Sequence, residues 1–111
     1  MQVLQQKNFF PQLLWTDNVL DLSMWILRKG PAIVAGPWFS DMSRIDPNGF
    51  ARPTGTFEGH HCWLVYGVDD QWETFFAINS WGKEFGKDGK FLVKFSDMDK
   101  ILAQGYALAT K

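Results

Sequence analysis

At 111 residues the chain is long enough for one domain and too short for two ordinary ones. Hydrophobic residues make up 46% and charged residues 21%, which excludes a disordered chain because apolar burial can offset the entropy of ordering. The net charge is -1 with acids and bases interspersed, so there is no Lys/Arg cluster to displace counterions and no nucleic-acid partner is expected.

No run approaches the roughly 18 apolar residues of a membrane span. A single cysteine excludes an intrachain disulfide framework. The opening MQVLQQKNFF lacks a signal peptide's basic-then-apolar order, so a soluble chain is expected, secreted only as part of a larger or processed protein. Six Trp and ten Phe imply either an unusually aromatic core or an aromatic surface that something else covers.

Residues 1–15 are mixed polar and aromatic without a clear period and read as an arm preceding a domain at 16–111. TDNVLDLSMWILRKGP at 16–31 predicts a helix. Thr16 or Asp17 can cap its free amides, Leu20, Met24 and Leu27 repeat at helical spacing, and Arg28 and Lys29 sit near its negative end before Gly30 and Pro31. Val19, Leu22 and Ile26 widen the apolar face, so the helix is expected to pack against a sheet. AIVAG at 32–36 predicts a strand, and the nonperiodic, Pro- and Gly-bearing stretch at 37–60 a long surface loop of the kind that often carries function. Trp38 and Phe39 within it are candidates to line a pocket or an interface, or to serve as packing anchors.

HCWLVYGVD at 61–69 predicts a strand apolar on both faces, hence central or covered on both sides. A turn at Asp69 to Gln71 and strands at 74–79 and 89–95 complete an antiparallel sheet, with a glycine-punctuated loop, SWGKEFGKDG, between the last two. Ser96 and Asp99 suggest a capping box opening a helix to about Ala103, and 106–110 a final strand. The fold class is therefore α+β.

Two histidines, His60 and His61, stand beside Cys62. Zinc needs three or four convergent ligands, and adjacent strand residues point to opposite faces, so no metal and no cofactor is expected. The same alternation separates His61 from Cys62, whereas activating a thiol requires imidazole within hydrogen-bond reach. Cys62 is expected to be a structural core cysteine, the commoner condition of that residue.

His61 and Asn79 stand at the ends of two strands that an antiparallel return would bring together. Asn79 Oδ1 could accept a hydrogen bond from one ring nitrogen and so fix the other to polarise a nucleophile. The alternative is a purely structural hydrogen bond.

In order and spacing these pieces resemble the C-terminal half of a papain-like cysteine peptidase, over about residues 17–95. The matching stretches are LRKGPAIVAG, a helix leading into a Gly-Pro strand start; HCWLVYGVDD, the histidine strand, with Val68 where an aromatic is usual; NSWG at 79–82; and GKFLV at 89–93. The WILRKGPAIVAG and GHHCWLVYGVD stretches are also similar to the broader group that includes bacterial secreted effectors. The resemblance implies a twisted antiparallel half-barrel preceded by a packed helix and a long loop. It further implies His61 as general base and acid, Asn79 as its orienter, and Trp81 as a shield over their hydrogen bond. His60 stands where that family usually carries glycine, and Cys62 where it carries a small residue.

The family's nucleophilic Cys opens a helix in an N-terminal half, and no Gln-x-x-x-x-x-Cys-Trp arrangement occurs in this chain. The resemblance thus implies a truncated domain, hydrolysing polypeptides only when a Cys-bearing half is supplied in cis or in trans. The alternative is a noncatalytic binding or regulatory module that reuses the half-fold.

Overall fold

The computed structural model describes residues 5–6, 13–79 and 89–110. Its elements in chain order are β1 (Gln5–Gln6), β2 (Leu13–Thr16), α1 (Val19–Arg28), β3 (Ala32–Phe39), a 3-10 turn (Ser40–Ser43), β4 (Phe57–Asp69), β5 (Thr74–Ile78), β6 (Lys90–Lys94), α2 (Phe95–Leu102) and β7 (Tyr106–Thr110). The strands form one antiparallel sheet in the order β1-β2-β7-β3-β4-β5-β6, with β1 and β6 at its edges, so the sheet is open. The fold is α+β, as the strand and helix patterns suggest.

The long connection is shorter than its composition suggests. β3 runs on to Phe39 and β4 starts at Phe57, because Gly36, Pro37 and Phe39 find partners in His61, His60 and Phe57. The register shifts between Pro37 and Phe39. A proline that cannot donate to the ladder is suited to that irregularity. The loop between is closed on itself: Ser40 N–H donates to Thr56 O at 2.8 Å, Thr56 N–H to Ser40 Oγ at 2.9 Å, and Thr54 Oγ1 to Asp41 Oδ2 at 2.6 Å.

α1 begins one residue later than expected. Asn18 Oδ1 accepts from Asp21 N–H at 3.0 Å, and Thr16, held in β2, instead accepts from Asn18 N–H at 3.1 Å. Its buried face is Val19, Leu22, Trp25 and Ile26, whereas Leu20 and Leu27 are exposed. Periodicity alone admits both rows. The row carrying Trp25 has the larger apolar area to bury and wins the contact with the sheet. α2 starts at Phe95, one residue before Ser96, where Phe95 N–H donates to Glu73 O at 2.8 Å and no side chain caps the helix.

Both helices lie over one face of the sheet, α1 against β4 and α2 against α1, β3, β6 and β7. The core joins Leu22, Trp25 and Ile26 of α1, Met98, Ile101 and Leu102 of α2, and inward strand residues including Val34, Trp63, Val65, Phe75, Phe91 and Val93. Among the described residues no helix is long and apolar enough to cross a membrane.

Candidate functional site

Alternation along β4 sorts its side chains. Trp63 and Val65 are buried and His61 is half-buried, while His60, Cys62 and Tyr66 are exposed. His61 therefore shares the inward face with the core, and His60 and Cys62 the opposite one. His60 instead sets its ring edge-on to Phe57, 5.3 Å between centroids.

Beneath His61 lies Trp38. Gly36 pairs with His61 across the β3–β4 ladder, and Trp38, two residues on, turns to the same side. The indole meets the imidazole edge-on at 5.7 Å between centroids and 72° between planes, and itself meets Phe91 at 6.1 Å. Its Nε1 donates to Ser43 Oγ at 2.8 Å. Trp38 is 0% exposed, which removes it as a docking or pocket-surface residue; it is the apolar floor under the histidine. Phe39 is half-buried, edge-on to Phe57 at 6.0 Å, and packs against the core, an anchor rather than an open surface.

Asn79 follows directly on β5. Leu64 pairs with Ile78, and one further step in that register puts Asn79 across from Trp63, hence on the inward face and diagonal to His61. Diagonal neighbours on antiparallel strands lie about 7–8 Å apart, within reach of long side chains. Asn79 N–H donates to Gly89 O at 2.8 Å, which holds the backbone. The side chain is only 5% exposed, and its Nδ2 is buried without a hydrogen-bond partner. Trp81 lies outside the described residues.

Cys62 is exposed rather than in the core. Its residue type favours burial, but strand alternation binds it to the face opposite Trp63 and Val65, and the helices cover only theirs. Among the described residues no three of His, Cys, Asp and Glu cluster in a way that could hold a metal ion.

A cavity of about 660 Å³ adjoins the histidines, bounded by His60, His61 and Cys62 of β4, Ala35 and Gly36 of β3, and Gln104 and Tyr106 beyond α2. Its far wall depends on Gly105. A Cβ there would run into the carbonyl oxygen of Ala35 and Cα of Gly36, so only glycine lets the α2–β7 turn close on β3. Gln104 and Tyr106 are functional candidates that sequence patterning overlooks. The only local signal is a glycine between a helix and a strand.

No protein-family model and no curated protein matches the chain. Among solved structures it is similar to xylellain, a cysteine protease from Xylella fastidiosa, with 22% identity and a TM-score of 0.67 over 86% of this chain and 38% of that one. It is also similar to procathepsin B S9 from Trypanosoma congolense, with 19% identity and a TM-score of 0.64 over 83% and 32%. A third similar structure is digestive procathepsin L2 from the larval midgut of Tenebrio molitor, with 21% identity and a TM-score of 0.59 over 89% and 33%. The chain thus has the fold of a papain-like half-barrel subdomain, and spans between 32% and 38% of the length of these structures.

Proposed function

We propose that the chain is the His/Asn half of a papain-like cysteine peptidase, with residues 16–111 as that subdomain and residues 1–15 as an arm that adds β1 and most of β2 to its sheet beyond β7, inactive until a Cys-bearing half joins it. The observation that carries this is the common inward face of His61 and Asn79, at neighbouring ends of paired strands and beside an open cavity, on a fold similar to those of cysteine proteases.

The chemistry is acyl transfer. A thiolate on the other half attacks the scissile carbonyl carbon, and imidazolium at His61 gives its proton to the departing amine as the C–N bond breaks. His61 then takes a proton from water, the resulting hydroxide attacks the thioester, and the acid leaves as the thiolate is restored. Asn79 Oδ1 accepts the N–H of one ring nitrogen and keeps the other aimed at the thiol. Trp38 limits the tilt of the ring from below. The cavity beside His61 and Cys62 receives a side chain of the polypeptide substrate.

The test is peptide hydrolysis by this chain combined with a Cys-bearing half. Iodoacetamide-sensitive turnover is expected, falling by about 10²–10⁴ in His61→Ala, the range of general acid–base catalysis. Turnover that survives His61→Ala unchanged would remove the histidine from the mechanism.

A further inference from the structure

At the end of β4 remote from His61 the sheet carries another cavity, of about 460 Å³, within the size range of small-molecule sites. It reaches Asp69, eight strand steps from His61, or about 26 Å at about 3.3 Å per residue, so it is separate from the candidate catalytic site. Its floor is Phe76 and Leu92, paired across β5 and β6, and the Phe76 ring lies so close over Gly67 that a Cβ there would meet it at 2.9 Å. Phe50 forms a wall, held beside the edge of β6 because Ala51 N–H donates to Leu92 O at 2.9 Å, Leu92 N–H to Gly49 O at 2.8 Å and Phe50 N–H to Asp46 Oδ1 at 2.9 Å. Trp72 adds an indole that is 74% exposed on a fixed backbone. Its N–H donates to Asp69 Oδ1 at 3.0 Å and its carbonyl accepts from Thr74 Oγ1 at 3.0 Å. The next residue, Glu73, has a left-handed φ of 50°, a conformation that surrounding contacts must hold in a residue with a Cβ.

The polar end of the cavity is one row across the sheet, in which Thr74 pairs with Asp69 on one side and with Lys94 on the other. Lys94 Nζ stands 5.3 Å from the centroid of Phe50. Both ion pairs among the described residues belong to Arg52, so Asp69 and Lys94 bring opposite charges to one cavity without neutralising each other.

We infer that this cavity binds a free aromatic α-amino acid; the inference goes beyond the function proposed above and needs neither His61 nor a thiol. Shape and charge together select that ligand. The rings of Phe50, Trp72 and Phe76 receive an aromatic side chain, Lys94 takes the α-carboxylate, and Asp69 Oδ2, the oxygen that the Trp72 N–H leaves free, takes the α-ammonium. β4 and β6 lie two ladder spacings apart, about 9.6 Å. Two charge-assisted hydrogen bonds of about 2.8 Å leave roughly 4 Å between them, the span of the ammonium and carboxylate of an α-amino acid. An amine or an acid alone would leave one of the two protein charges unanswered, and an acidic peptide would set like charge against Asp69.

The experiment titrates the 111-residue chain with L-phenylalanine, L-tyrosine and L-tryptophan and follows backbone amide shifts by two-dimensional NMR. At least one of the three should move the amides of Trp72, Thr74 and Lys94 saturably, with a Kd below about 1 mM. Phenethylamine, which lacks the carboxylate, 3-phenylpropanoate, which lacks the ammonium, and L-alanine, which lacks the ring, should each bind at least about tenfold more weakly. Lys94→Met should weaken the amino acid at least about tenfold and leave phenethylamine unchanged, and Asp69→Asn, which keeps an acceptor for the Trp72 N–H, should do the same while leaving 3-phenylpropanoate unchanged. Thermal unfolding of each free variant confirms that it is folded, and the ligand series decides the matter should a variant fail to fold. Saturation by none of the three amino acids overturns the inference, as do shifts centred on His60 to Cys62 instead. Phenethylamine or 3-phenylpropanoate binding as tightly as the amino acid overturns it too, as does wild-type affinity in both charge variants. N-acetyl-L-phenylalaninamide binding as tightly as L-phenylalanine overturns it in favour of a peptide, and maltose moving the same amides at lower concentration overturns it in favour of a sugar stacked on Trp72.

Discussion

β4 presents two faces built from similar residues with opposite fates. Inward, Trp63 and Val65 are 3% and 0% exposed, and the Trp63 ring meets Phe91 edge-on at 5.2 Å. Outward, Leu64 is half-buried, and Cys62 and Tyr66 lie open. The difference is not in the strand but in what lies above it, since both helices fall on the inward side. A residue's hydrophobicity states what it would gain by burial; the topology of its own chain decides whether that gain is realised within the chain or left for an encounter.

Substitutions can break this contrast. Trp63→Ala should destabilise the folded chain by about 3–5 kcal/mol in chemical denaturation, the cost of emptying a large buried aromatic site. A loss below about 1 kcal/mol would place the core elsewhere. Gly105→Ala, which drives a methyl into the β3 backbone, should cost roughly 1–3 kcal/mol and open the cavity wall at Gln104 and Tyr106. Leu64→Ser, one residue from Trp63 but on the other face, should lower stability by no more than about 1 kcal/mol in the free chain. Cys62→Ser should fall within about 0.5 kcal/mol of wild type, and a larger loss would restore the thiol to a core role.

Much of the frame was legible in the residues. The apolar run at 61–69, the return at 74–79 and the alternating run at 89–95 correspond to β4, β5 and β6, and the helical run after Thr16 corresponds to α1, because β-branched and aromatic runs bounded by turn residues and the 3.6-residue period are local signals. Strand ends were less legible. β3 and β4 extend through Pro37 and back to Phe57 by pairing with each other, and no local preference announces a distant partner. β2 is the same case: Leu13–Thr16 has little strand pattern of its own and is held by β7.

At the candidate site, alternation separated His61 from Cys62 in sequence as in structure, but could not say which of the two faces the helices cover. Residue type alone points Cys62 to the core, and strand alternation leaves it exposed. Trp38 was legible as a large aromatic near the histidine and not as its floor, since that depends on the Gly36 to His61 register. Gln104 and Tyr106 come from a turn that only Gly105 lets approach.

The central claim, that Asn79 orients His61, is tested most directly by nitrogen-15 NMR of the imidazole of His61 in the free chain and in Asn79→Ala. One tautomer is predicted to dominate in the wild type and to give way to a mixture in the variant, with His60 unchanged. The same tautomer population at His61 in both proteins would contradict the account.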